Sequence, residues 1–234
     1  PHISNFTDFM PLEQHELLGV RYVQRARELG RPDLVILPGT KNTMEDLLWL
    51  RQNGLEAAAL KLAHAGTPIL GVCGGYQMLG QTLDDPQGTE SGRPMALSGL
   101  GLLPTRTVFD AQKRRMQVRA AAQGELFGRA RLTGYEIHNG RTEVSGAPFC
   151  MLEDGTPEGC VNRNVFGTYL HGLFDSGELT GALVRMLCAR KGISPTQTQL
   201  MSMADYRQQQ FDLLADGVRQ ALDMGAVYRA INTA

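Results

Sequence analysis

The apolar run Ile69-Leu70-Gly71-Val72 passes straight into Cys73-Gly74-Gly75 and then into Tyr76-Gln77-Met78-Leu79, which reads as helix. Few folds can accommodate such a change. A short, continuous apolar run suits a parallel strand buried on both faces. The bend needs backbone angles that a β-carbon disfavours, which the glycines supply. Gly71-x-Cys73-x-Gly75 therefore has the form of a nucleophile elbow with cysteine in place of serine. The first amides of the following helix have no acceptor of their own and carry partial positive charge. They favour a thiolate at Cys73. They could also hold a developing oxyanion, Gly74 first. A cysteine at a strand end is in other settings a small buried hydrophobe. The flanking glycines and the helix behind them set Cys73 apart.

Composition bounds what surrounds this bend. The 234 residues are enough for one large domain, with 42% hydrophobic and 20% charged residues, as in ordinary globular chains. A net charge of −1 argues against a nucleic-acid surface. Lys113-Arg114-Arg115 reads as a solvated hairpin. Cys73, Cys150, Cys160 and Cys188 have no C-x-x-C spacing, which excludes the usual zinc patterns. Free thiols in a reducing cytoplasm are the expectation. No apolar run is long enough for a membrane span, and no signal peptide is visible. The chain opens on Pro1-His2-Ile3-Ser4-Asn5-Phe6 without methionine, which suggests a piece of a longer protein. Residues 1–17 read as a linker, and residues 18–234 as one domain.

Before the elbow, the pattern predicts strands over 19–23 and 33–37 and helices over 25–29, 43–52 and 55–65. Asn42 or Thr43 would cap the second of these helices, with Glu45 and Asp46 in its first turn. Strand–helix alternation implies a parallel sheet covered on both faces. Ligands in such sheets sit at the carboxyl ends of strands, where both Pro38-Gly39-Thr40 and Cys73 fall. After the elbow, residues 83–93 read as a loop. Residues 105–109 and 115–121 read as a hairpin, and 130–138, 149–152, 159–162 and 165–170 as further strands. Helices are expected over 178–191 and 202–224. The fold class is α/β: a mixed, largely parallel central sheet flanked by helices, with an antiparallel second half.

A cysteine nucleophile needs a base. Of five histidines, His138 and His171 end strands. His171 is preferred because its strand opens into the glycine turn Gly172-Leu173-Phe174. Together, Gly71-x-Cys73-x-Gly75-x-Gln77, Pro38-Gly39-Thr40 and His171 resemble a class I, flavodoxin-like glutamine amidotransferase domain. Adding the opening Pro1 to Phe9 stretch, Leu37-Pro38-Gly39-Thr40-Lys41-Asn42-Thr43, Tyr135-Glu136-Ile137-His138 and Tyr169-Leu170-His171-Gly172-Leu173-Phe174 makes the chain similar to the cobyric acid synthase family. The resemblance spans residues 1 to about 215.

The resemblance implies hydrolysis of glutamine through a thioester on Cys73, with His171 as base and then acid. Gly39 and Gly74 would supply oxyanion N–H groups, and Gln77, Tyr76 and Thr40 would contact the substrate. It implies no cofactor in this domain. Its partner would be an N-terminal, ATP- and Mg²⁺-dependent synthetase domain that amidates carboxylates of a corrinoid; no phosphate-binding G-x-x-x-x-G-K-[ST] loop occurs here. The same chemistry could serve a cobyrinic acid a,c-diamide synthase or a cell-wall lipid amidating complex, and a catalytically silent scaffold is the reading of another class. The broader class carries Glu two residues after the histidine. Leu173 stands there, so a Cys–His dyad is expected, with Asp175 and Glu136 the carboxylates considered as a third member.

Overall fold

The computed structural model describes residues 3–124, 127–194 and 203–232. The chain divides into two units, Pro1–Thr198 and Gln199–Ala234. Unit 1 opens with a 3-10 turn, Phe6–Phe9, running into α1 (Met10–Glu13) and then the short α2 (Ala26–Leu29). Next come β1 (Val35–Leu37), α3 (Thr43–Gln52), α4 (Leu55–His64), β2 (Ile69–Val72) and α5 (Gly74–Leu79). The strands β3 (Thr82–Asp85), β4 (Met95–Ser98), β5 (Thr105–Ala122) and β6 (Arg131–Val144) follow. After them lie β7 (Cys150–Leu152), β8 (Pro157–Glu158), β9 (Cys160–Asn162), β10 (Val165–Thr168), β11 (Leu170–His171) and α6 (Glu178–Arg190). Unit 2 comprises α7 (Met203–Ala221) and α8 (Met224–Asn232).

Two sheets carry unit 1. The first has the order β1-β2-β10-β9; β2 is parallel to both β1 and β10, and β9 adds antiparallel to β10. All four residues of β2 are buried, as a central parallel strand requires. The second sheet runs β11-β6-β5-β3-β4, with β7 and β8 continuing from β5. The mixed α/β class is as expected from the sequence. The second sheet, antiparallel except where β3 runs parallel to the 18-residue β5, is larger than the alternation of the first 80 residues suggests.

Several local expectations are corrected. Residues 19–23 form no strand; beside them, the Arg21 guanidinium donates to the Glu28 and Leu29 carbonyl oxygens at 2.5 and 2.6 Å. The stretch read as a loop from 83 begins as β3. Its Asp85, fully buried, organises the turn that follows by accepting from the backbone N–H groups of Thr89, Glu90 and Ser91 at 2.8–3.0 Å. Residues 105–109 and 115–121 are two halves of one strand, both paired with β6, and the register shifts between Val108 and Lys113. Residues 165–170 split between the sheets: β10 lies in the first and β11 in the second, so Tyr169 marks the crossing.

Residues 3–14, part of the segment read as a linker, bury Phe9 and Leu12 in the same core cluster as Leu70, Val72 and Cys73. Ile3 also bridges Thr40. Within unit 2, Phe211, Leu214 and Val218 follow helical spacing on α7 and are exposed. Ser202, the expected first residue of this helix, lies outside the described residues.

Candidate active site

The elbow is built by close approach. Cys73 has φ 51° and ψ −111°, a backbone conformation that costs a non-glycine residue about 1–3 kcal/mol and persists only where its surroundings impose it. A β-carbon at Gly75 would fall 1.9 Å from the Leu37 carbonyl oxygen, so α5 can lie against β1 only with glycine there. Cys73 N–H donates to the Thr168 carbonyl oxygen at 2.8 Å, which pins the bend to β10. The thiol is nearly buried and donates to the Ile137 carbonyl oxygen of β6 at 3.4 Å.

His171 reaches the same place from the other sheet. It is buried and pairs with Tyr135 across β11 and β6. A β-carbon at Gly134 would lie 2.3 Å from the His171 carbonyl oxygen, so glycine lets the two strands close. The Tyr135 ring stacks on the imidazole at 5.2 Å between centroids, and Asn5 Nδ2 donates to the Tyr135 hydroxyl at 2.6 Å.

The third member comes from the N-terminal segment. Asp8 is 2% exposed; its Oδ2 lies 2.6 Å from His171 Nδ1, and its Oδ1 accepts from Gly172 N–H at 3.0 Å. Of the two carboxylates considered for this position, Glu136 pairs instead with His138 and Arg114, and it is Asp8 that holds His171 Nδ1. Burial pulls the His171 pKa down. The hydrogen bonds to Asp8 and Cys73, with their charges, more than offset it, and the net pKa is raised to about 9. The pair is thus poised as an imidazolium beside sulfur.

Gly39 lies between nucleophile and base: a β-carbon there would sit 3.1 Å from His171 Cε1 and 3.4 Å from Cys73 Cβ. Gly74 supplies the first N–H of α5, one of the amides without an intrahelical acceptor. Thr40 is beside it; its Oγ1 lies 2.9 Å from where a Gly74 β-carbon would be, and is buried without a hydrogen-bond partner.

Gln77 and Tyr76 stand elsewhere than expected of substrate contacts. Gln77 Nε2 donates to the Asn139 carbonyl and the Tyr169 hydroxyl, both at 3.2 Å, while its Oε1 accepts from Thr43 Oγ1 at 3.1 Å. Both amide protons are engaged, so the side chain braces α5 against β6 and α3. Tyr76 is fully buried and packs edge-on against Tyr169 at 5.0 Å, with its ring filling the space at Gly167. Of the remaining cysteines, burial pushes the Cys150 thiol up, and Cys160 up to about 11; they are core residues.

Sequence reasoning thus located Cys73, His171, Gly39, Gly74 and Thr40 in one place and missed Asp8. The available signal was Asn5-Phe6-Thr7-Asp8-Phe9 itself: one carboxylate among aromatic residues, in a stretch otherwise without purpose.

A sequence model of the CobB/CobQ-like glutamine amidotransferase domain matches residues 1–179. The cobyric acid synthase of Streptococcus sanguinis is 44% identical over 240 residues, covering 98% of this chain and 47% of the relative. That of Salmonella typhimurium is 45% identical over 241 residues, covering 97% and 47%. The chain spans about half the length of the curated relatives it matches. Among solved structures, a crystal structure of a glutamine amidotransferase superposes with a TM-score of 0.56 at 16% identity, covering 79% of this chain and 92% of that one. The structure of PurLQS from Thermotoga maritima gives 0.57 at 17%, covering 76% and 91%. At such identities the likeness is one of fold.

Proposed function

The chain belongs to the CobB/CobQ-like glutamine amidotransferase domain family, and from that premise we propose that it hydrolyses glutamine at Cys73 with an Asp8–His171 pair behind the sulfur. The observation that carries this reading is the line Asp8–His171–Cys73, with a 2.6 Å contact at one end and a strained elbow at the other.

Cys73 passes its thiol proton to His171, and its sulfur adds to the carboxamide carbon of glutamine. Gly74 and Gly39 N–H groups receive the oxyanion, with the unpartnered Thr40 hydroxyl beside them. Such donors are worth most where water is excluded. The C–N bond then breaks, and His171 gives its proton to the departing nitrogen, which leaves as ammonia. Water, deprotonated by His171, opens the thioester; glutamate leaves and the thiol is restored. Asp8 holds Nδ1, so that Nε2 faces the reaction, and stabilises the imidazolium. In the whole protein the ammonia passes to an ATP- and Mg²⁺-dependent synthetase domain that amidates corrinoid carboxylates, in the cytoplasm. The relatives named cobyric acid synthase, twice the length of this chain, support that assignment, and four free buried thiols fit a reducing compartment.

The test sets one variant and the wild type against two nitrogen sources. In the whole protein, Cys73→Ala should abolish glutamine-dependent amidation and leave ammonia-dependent amidation intact. In the wild type, a glutamine-like chloroketone should alkylate Cys73, and glutamine should protect it. Equal loss with both nitrogen sources, or alkylation indifferent to glutamine, would overturn the reading.

A further inference from the structure

A second histidine–carboxylate pair lies behind the elbow, and the chemistry above does not use it. Glu136 and His138 stand two apart on β6, with side chains 3% and 7% exposed. His138 Nε2 meets Glu136 Oε1 at 2.7 Å. The other Glu136 oxygen takes Arg114 Nε at 3.2 Å, and Arg114 is half exposed. The His138 ring stacks on Tyr169, 3.6 Å between centroids and 12° from parallel. The Tyr169 hydroxyl is held by Gln77 Nε2 and by the Thr142 hydroxyl. Along the strand, His138 sits between the two carbonyls that touch the elbow: Ile137, which receives the Cys73 thiol, and Asn139, which receives the Gln77 amide.

His138 Nδ1 is buried and has no hydrogen-bond partner. Glu136 Oε1 accepts from the ring, which selects the tautomer with its proton on Nε2. With its single proton on Nε2 toward the carboxylate, Nδ1 carries a bare lone pair. A buried acceptor left unfilled is costly, and a ring fixed by both a carboxylate and a stacked tyrosine cannot turn to satisfy it.

We propose that His138 Nδ1 is a binding subsite for the nitrogen that glutamine brings, accepting a hydrogen bond from its carboxamide or from the ammonia it becomes. The proposal rests on the glutaminase reading and names where the nitrogen is held. A neutral N–H donor suits the site, because a ring nitrogen with a free lone pair acts only as an acceptor. His138 transfers no proton; the leaving nitrogen takes its proton from His171.

The experiment uses the 234-residue chain with Cys73→Ala and ¹⁵N-labelled histidine, so that ligands bind without turnover. The His138 Nδ1 resonance, identified by its absence in His138→Asn, should start at the position of an unprotonated acceptor. It should move upfield with glutamine, or with ammonium chloride at alkaline pH, and stay unmoved with glutamate. Movement with glutamine alone assigns the subsite to the carboxamide, and movement with ammonium chloride alone assigns it to ammonia. No movement with either, or a His138 already protonated at Nδ1, overturns the proposal. Kinetically, His138→Phe keeps the stacking and should raise KM for glutamine by about three- to tenfold, the scale of one hydrogen bond. Alkylation by the chloroketone, which lacks the nitrogen, should stay within about twofold. Unprotected alkylation in the wild type would instead sink the glutaminase reading, so the two failures are separable.

Discussion

Asp8 makes the residue scale decisive. Its carboxylate holds His171 through a buried 2.6 Å contact, and its replacement is therefore expected to act on both rate and stability. Asp8→Asn should lower glutaminase kcat by roughly 10²–10⁴, the range seen when a triad acid no longer fixes the tautomer. The basic limb of the pH–rate profile should also shift downward, since Asp8 helps hold the imidazole up at about 9. The sign for stability follows from linkage. The folded pKa is raised from 6.5 to about 9, so the stability it brings is full below 6.5 and fades as pH rises through 9. Denaturant melts of wild type and Asp8→Asn should converge over that window; a gap that widens with pH would contradict the assignment. A second prediction concerns Cys73. Its positive φ suits glycine better than alanine, so Cys73→Gly should be more stable than Cys73→Ala by about 1 kcal/mol, measured as a difference in thermal midpoint.

At the scale of elements, the site is a junction of strand ends from two sheets. β2 and α5 deliver Cys73, β11 delivers His171, and the 3-10 turn Phe6–Phe9 delivers Asp8. The junction depends on close backbone approach. Gly75→Ala would drive a methyl group into the Leu37 carbonyl oxygen, and the overpacking should cost about 3 kcal/mol. Chemical denaturation would register this as a lower midpoint with an unchanged slope. Gln77 belongs to this scale as well. Its three hydrogen bonds fasten α5 to its neighbours, so Gln77→Ala should reduce stability and kcat together.

For the whole molecule, every residue of the candidate site and both core clusters fall within unit 1, before residue 199. A chain ended after Thr198 is expected to fold and to keep glutamine-protected alkylation of Cys73, checked by circular dichroism and mass spectrometry. Loss of folding would mean that unit 2 supplies part of the core. No described helix is long and apolar enough to cross a membrane. Leu173 stands where the broader class carries an orienting acid, and the carboxylate that holds His171 here comes instead from Asp8, far away in the chain.

The amino-acid sequence by itself determined what local chemistry controls. Glycines at fixed offsets around Cys73 specify the elbow, Asn42 caps α3 by accepting from Glu45 N–H, and a four-residue apolar run specifies a buried parallel strand. Each of these depends on residues within a few positions of one another. What only the tertiary structure decided involves groups far apart in the chain. Asp8 and His171 are 163 positions apart, and no periodicity links a carboxylate in an apparent linker to a histidine at a distant strand end. The same holds for Gln77 and Tyr76, whose residue types suit a ligand and whose packing makes them braces. It holds for β5, where the midsection, exposed at 111–112 and 114–117, looks like a turn in sequence and is kept extended by pairing with β6. Caps and tight turns are set by neighbours in sequence; which strands pair, and which side chains share one buried volume, is set by how the two sheets meet.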